Sequence, residues 1–141
     1  MKEILIKCFM RVNAFLLRLT NGRMGSRLGT QTILLLETIG RKSGQPREIP
    51  IAYFFYEGKY LIVESNWGKE VHADWYFNLR KNPHARLKVR GQIISVEAHD
   101  AQGQEYDRLW NFVTERHPPF LRYQKMTTRP IPIVIFEPVR Q

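Results

Sequence analysis

Two glycines, Gly40 and Gly44, bracket Arg41, Lys42 and Ser43, and Pro46 and Arg47 follow at once. Three cations around a hydroxyl, on a backbone loosened by glycine, supply what an oxyanion needs. The N–H groups are free of secondary structure, and the charged donors make short hydrogen bonds. The stretch is not a nucleoside-triphosphate loop, because no Lys-Ser/Thr follows the second glycine and no helix opens after it. It also lacks the three spaced glycines of a dinucleotide fingerprint. A solvated basic turn would have the same composition, so the residues alone leave both readings open.

Other chemistry is harder to build from this chain. His72, His84, His99 and His117 show no i, i+4 pair or other close ligand spacing, so no metal is expected, and each reads as a surface or loop histidine. There is no Gly-x-Ser-x-Gly elbow. The single cysteine, Cys8, excludes an internal disulfide or a Cys-based zinc cluster and reads as a small apolar helix residue. An enzyme with neither nucleophile nor paired acid and base is one whose cofactor carries the reaction. Trp75-Tyr76-Phe77, and Phe120 with Tyr123, offer apolar walls for a flat ligand. Rings among cations also suit single-stranded nucleic acid. Tyr53 and Phe55 alternate with Phe54 and Tyr56, however, so both faces of that segment are apolar and it reads as barrel core.

The elements that must position these groups follow from pattern. Ile4 to Leu19 reads as a helix with Lys7, Arg11 and Arg18 on one narrow face and Leu5, Phe9, Val12, Leu16 and Leu19 opposite. Docking on the core is the simpler fate of such a helix, and lying at an anionic membrane surface is the alternative. Asn21 to Thr30 is a basic glycine-rich loop. Strands are predicted over Thr32 to Thr38, Glu48 to Tyr56, Lys59 to Ser65, Ala85 to Arg90, Gln92 to His99 and Ile131 to Phe136, with hairpin turns at Glu57-Gly58 and Gly91. Pro50 inside the second strand predicts a bulge or an edge position beside the cofactor. Ala73 to Asn82 and Gln102 to Arg116 read as helices, and Phe120 to Met126 as a further turn.

Strands gathered around hairpins, rather than alternating with helices, argue against a parallel doubly wound sheet and for a small antiparallel barrel with helices outside it. The 141 residues are expected to form a single domain, 1–141, since 43% of them are hydrophobic and no low-complexity tract interrupts them. Lysine and arginine number 22 against 13 acids, a balance of +9 that favours an anionic partner. The N-terminal stretch carries too many charges for a signal peptide or a membrane span. A cytoplasmic setting is expected, with residues 1–20 the part that would meet the inner membrane face.

Three runs carry a resemblance. Thr38-Ile39-Gly40-Arg41-Lys42-Ser43-Gly44-Gln45-Pro46-Arg47 is followed by Ala73-Asp74-Trp75-Tyr76-Phe77-Asn78-Leu79 with Asn82-Pro83, then by Tyr123-Gln124 and Arg129-Pro130-Ile131-Pro132-Ile133-Val134. In this order, over almost the whole chain, they resemble the deazaflavin-dependent nitroreductase family. The resemblance implies an α+β, mainly β fold, a six-stranded antiparallel split β-barrel of the FMN-binding type with flanking helices. It also implies coenzyme F420 as cofactor. Arg41, Lys42 and Ser43 would meet the phosphate and acidic tail. Arg47, Ile49, Pro50, Ile51 and Ala52 would line the cofactor, and Val63, Glu64, Ser65 and Asn66 its ring edge. Trp75, Tyr76, Phe77 and Asn78 would reach the phosphate side from a helix start, with Phe120 and Tyr123 closing the pocket. Relatives often carry lysine where Asn66 stands, and tyrosine at Ala52, His117 and Phe120.

The reaction implied is hydride transfer from the reduced deazaflavin to a quinone, enone or nitro acceptor. Ser65 or Tyr123 would donate a hydrogen bond to charge developing on that acceptor. The partner is then a small-molecule electron acceptor and not nucleic acid, with a homodimer the expected assembly. Two rival readings share these residues: an FMN- or haem-binding protein on the same barrel, and a non-enzymatic module for anionic ligands.

Overall fold

The computed structural model describes residues 27–28 and 31–139. Among the described residues there are seven strands, β1 (Arg27–Leu28), β2 (Gln31–Ile39), β3 (Pro46–Tyr56), β4 (Lys59–Val63), β5 (His84–Val89), β6 (Gln92–Asp100) and β7 (Ile133–Pro138), with helices α1 (Asp74–Lys81), α2 (Gly103–Arg116) and α3 (Pro119–Met126) and a 3-10 turn at Asn66–Gly68. The sheet runs β1-β2-β3-β4-β7-β6-β5, and β5 returns to pair with β2. Every pairing is antiparallel, so β2 through β7 close into a six-stranded barrel. The short β1 continues the β5 side of β2, at Gln31 and Thr32.

Alternation fills the barrel. Leu34 and Leu36 of β2, Tyr53 of β3, Ile62 of β4, Leu87 of β5, Val96 of β6 and Phe136 of β7 point inward, with Trp75, Tyr76 and Leu79 of α1 packed onto the same cluster. Strands β4 and β7 are apolar on both faces because both are covered. Leu61, Val63, Ile133 and Ile135 pack outward on Leu109 and Val113 of α2 and Phe120 of α3. Their near-continuous apolar runs are the mark of strands buried on two sides. Glu57-Gly58, at φ 51 and 78, turns β3 into β4, and Arg90-Gly91, at φ 49 and 81, turns β5 into β6. Positive φ at both central residues suits the twist of two-residue hairpins.

Pro50 is an edge residue and not a bulge. The ladder from Thr32↔Tyr53 to Ile39↔Pro46 runs unbroken through Leu35↔Pro50. On its other side β3 pairs with β4 only from Phe54 to Tyr56. The stretch around Pro50 thus has a ladder neighbour on one side alone, where a missing donor is tolerated. Tyr53 faces the barrel interior and Phe54 and Tyr56 pack outward on Phe112, so the segment is core on both faces except at Phe55, which is exposed at the end of the inward face. The turn expected at Phe120 is a full helix, α3, with Pro119 in its first turn, where a missing N–H costs nothing. The helix expected over Ile4 to Leu19, its basic stripe and Cys8 lie outside the described residues. Among the described residues no helix is long and apolar enough to cross a membrane.

Candidate functional site

The loop from Gly40 to Arg47, the start of β3 and the first turns of α1 enclose a cleft of about 650 Å³. The loop is tied by its own backbone. Gly40 N–H donates to Gln45 O at 2.8 Å, and Gly44 N–H donates to Gly40 O at 2.8 Å. Ser43 Oγ accepts from Gln45 N–H at 3.1 Å. A Cβ on Gly40 would lie 2.6 Å from that Oγ, so the closure depends on glycine there.

Helix α1 is fixed to this loop by Asn78, which is buried. Its Nδ2 donates to Thr38 Oγ1 at 3.1 Å, and its Oδ1 accepts from Arg41 N–H at 3.1 Å and Nη1 at 3.0 Å. The Arg41 guanidinium also reaches Asp74 Oδ1 at 3.2 Å and lies over the Phe77 ring, 5.3 Å from its centroid. Arg41 therefore fastens loop to helix. Lys81 Nζ closes the same junction on Arg41 O at 2.8 Å. Lys42 and Arg47 line the cleft without a hydrogen bond or ion pair among the described residues. The cleft thus combines two cations outside any ion pair, two carboxylates (Asp74 and Glu48) already paired with Arg41 and Lys88, a serine hydroxyl and the positive end of a helix.

A second polar cluster lies where β4 ends. Glu64 is 1% exposed, with Oε1 bonded to His72 Nδ1 and Oε2 3.0 Å from Arg129 Nη2. Arg129 also donates to the carbonyls of Lys69 at 2.9 Å and Ser65 at 3.1 Å. Burial pushes the Glu64 carboxyl above its ordinary range, and His72 and Arg129 offset this only in part. The adjoining turn is left-handed throughout, with Asn66, Trp67 and Gly68 at φ 45, 59 and 77. Each non-glycine residue held so costs on the order of 1 kcal/mol or more, so surrounding bonds must hold the turn. Asn66 Nδ2 donates to Val71 O at 2.8 Å, and Gly68 N–H to Ser65 O at 2.9 Å. The turn packs on α3, with the rings of Trp67 and Tyr123 6.3 Å apart.

The residues singled out from sequence divide accordingly. Arg41, Lys42, Ser43, Arg47, Ile49, Trp75 and Asn78 meet at the cleft. Ile51 follows Ile49 on the inward face of β3, whereas Ala52 packs outward with Ile33 and Leu35, so alternation parts Pro50 and Ala52 from Ile49 and Ile51. Phe77 sits under Arg41. Tyr76 is buried with its hydroxyl on Asp100, and burial with that bond pushes its pKa up to about 12, so it stays a neutral donor. Val63 and Phe120 belong to the outer core beneath α2 and α3. Ser65 and Tyr123 lie at the left-handed turn and on α3, and neither hydroxyl has a hydrogen-bond partner among the described residues.

His72 extends the sequence reading. It lies in the loop between the turn and α1, as expected, but it is a partner of Glu64 and is stacked on Tyr76 at 4.6 Å. Arg129, the other partner, had no role assigned from sequence. His117 is half-buried against Phe120, and burial, with Arg122 nearby, holds its pKa below the ordinary value. No cluster of three metal-ligating side chains occurs among the described residues.

Comparison with known proteins converges on one family. A family model described as F420H(2)-dependent quinone reductase matches residues 9–138. An F420H(2)-dependent quinone reductase of Mycobacterium tuberculosis (strain ATCC 25618 / H37Rv) is 38% identical over 130 residues, covering 89% of this chain and 87% of its own. A solved structure described as an F420-H2 dependent reductase superposes with a TM-score of 0.68 at 35% identity, over 74% of this chain and 93% of that one. Another, described as a domain-swapped dimer, gives 0.69 at 35% identity over 74% and 79%. With its split barrel and its cationic cleft, the chain belongs to the F420H(2)-dependent quinone reductase family.

Proposed function

We propose that this protein is a reductase that takes its electrons from reduced coenzyme F420 and passes them to a quinone. The observation that carries the reading is the pair Lys42 and Arg47, whose side chains make no ion pair among the described residues in a cleft whose carboxylates, Asp74 and Glu48, are already held by Arg41 and Lys88. The donor set fits a phosphorylated, acidic cofactor, since cations, a hydroxyl and a helix start are complementary to phosphate. When bound, the reduced deazaflavin supplies a hydride to an electron-poor acceptor.

The protein's own part is binding and orientation. Lys42, Ser43 and Arg47 hold the anionic portion, and Arg41, tethered by Asn78 and Asp74, keeps the loop against α1. Ile49 and Trp75 give apolar walls at the same cleft. Pro50, Ile51 and Ala52 continue β3 beside it. The main chain from Val63 to Asn66 lies along the ring edge, the Val63 and Glu64 side chains being buried beneath it, Tyr76, Phe77 and Asn78 support the phosphate side, and Phe120 closes the pocket by backing Tyr123. The Ser65 and Tyr123 hydroxyls, free of other partners among the described residues, are the donors for charge developing on the acceptor oxygen. Assembly as a homodimer and peripheral membrane contact through residues 1–20 complete the reading. One similar structure is itself described as a domain-swapped dimer.

The test is a binding titration of the purified protein with F420, FMN and haem side by side. Tight binding of F420 with FMN and haem weaker supports the reading. Preference for haem or FMN would replace the cofactor.

A further inference from the structure

The reductase reading, on which this inference rests, gives no task to His72 and Arg129, the two partners of the buried Glu64 carboxylate. Glu64 presents one carboxylate oxygen to His72 Nδ1 and the other to Arg129 Nη2 at 3.0 Å. The guanidinium then turns back onto the main chain, donating to Lys69 O at 2.9 Å and Ser65 O at 3.1 Å. The chain from Glu64 to Lys69 is thereby coiled around one cation. Inside that coil sit the three consecutive left-handed residues Asn66, Trp67 and Gly68. One of them, Trp67, is of a type that seldom adopts such a conformation unaided, whereas glycine and asparagine enter it more readily.

The coil touches both halves of the site. On one side Gly68 lies so close to α3 that a Cβ would stand 3.2 Å from Tyr123 Cα. On the other, His72 stacks on Tyr76 of α1, the helix whose first turn borders the cation cleft. A buried ion pair is a poor device for stability alone, since apolar side chains of like volume often serve as well. It is a good device for holding backbone carbonyls in one arrangement, because a planar guanidinium has five donors at fixed angles.

We propose that Glu64, His72 and Arg129 are positioning residues of the reductase: a buried charge network that fixes the left-handed turn and so sets Ser65 and Tyr123 relative to α1 and its cleft. They act through the turn. Neutralising or shortening one of them lets the turn relax, which misplaces the acceptor's hydrogen-bond donors while the cation cleft keeps its own bonds through Asn78.

His72→Phe keeps a ring on Tyr76 and removes the nitrogen that meets Glu64. Arg129→Lys keeps the charge and loses the fork that serves several oxygens. Each is compared with unsubstituted protein in steady-state reduction of a water-soluble benzoquinone by reduced F420, with F420 affinity titrated separately. The expected result for both is a kcat lowered on the order of tenfold or more, with the F420 Kd within about twofold of the original. Arg129→Lys should retain more activity than Arg129→Met. If neither Arg129 variant folds, the His72 position, with a side chain 25% exposed, decides alone. An unchanged kcat in folded His72→Phe, or a loss of kcat matched by an equal loss of F420 affinity, overturns the proposal. An unsubstituted protein that fails to bind F420 overturns the reductase reading first, and is recognised before any variant is made.

Discussion

Glu37 and Glu64 are both buried carboxylates paired with arginine, yet their environments push them in opposite directions. Glu37, on β2, meets Arg86 of β5 through two parallel bonds of 2.8 and 3.0 Å, with Lys88 also nearby and itself bonded to Glu48 of β3. That arrangement holds its carboxyl below the ordinary 4.5, with the Arg86 hydrogen bond the largest cause and burial opposing it. Glu64 shares Arg129 with main-chain carbonyls, and there burial wins, raising the carboxyl. Arg86 is half-exposed and Arg129 only 10% exposed. A cation that keeps part of its water gives a carboxylate more than one that has been stripped of it and divided among other acceptors. The wall of the barrel thus carries a solvated charge ladder, and the approach to the acceptor side carries a dry one.

Removing the two arginines in turn separates the two carboxylate environments by the largest effect. Arg129→Met leaves Glu64 buried without its main cation and frees carbonyls, and it should cost about 3–5 kcal/mol in urea unfolding. Arg86→Met removes a half-exposed partner and leaves Glu37 with Lys88, and should cost less, about 1–2 kcal/mol, with the loss shrinking at high salt. Asp74→Asn, at the fully exposed end of the Arg41 bond, should move stability by less than about 0.5 kcal/mol. Equal costs for the two arginines would erase the distinction drawn between the ladders.

The finest test is read as a sign. Glu37, lowered on folding, adds stability above its unfolded value of 4.5, and this is lost as pH falls through the lower folded value. Glu64, raised on folding, favours the folded state below 4.5, and this is lost as pH rises through the higher folded value. Relative to the parent, Glu37→Gln should therefore lose ground as pH rises below 4.5, and Glu64→Gln should gain ground as pH rises above it. Chemical denaturation across the acid range measures both slopes, and slopes of the same sign would refute the opposition.

Much of the barrel was legible because its signals are local. Alternation along Ala85 to Arg90 and Gln92 to His99, and glycine at each hairpin, mark strands wherever the chain folds. The loop at Gly40 was legible for the same reason, since glycine spacing and clustered cations are adjacent in sequence. Long-range geometry was not. Arg41 reads as a free cation until Asp74 and Asn78, more than 30 residues on, are brought to it. His72 and Arg129 are 57 residues apart, and no spacing announces that Glu64 joins them. Pro50 signalled an irregularity, but only the one-sided pairing of β3 shows it to be an edge. Phe55 faces solvent because an apolar side chain on a strand says nothing of what covers it.

The central claim is that a cleft built from Lys42, Ser43, Arg47 and α1 serves a hydride-transferring cofactor, with Ser65 and Tyr123 assisting the acceptor. It is tested most directly by stopped-flow oxidation of reduced F420 already bound to the protein, mixed under anaerobic conditions with a quinone. Rapid reappearance of the oxidised deazaflavin is expected, at a rate that saturates with quinone and is slowed in Tyr123→Phe with F420 affinity nearly unchanged. A protein that binds reduced F420 yet leaves it unoxidised by every quinone offered would contradict the account, and would make the barrel a carrier of the cofactor instead of a reductase.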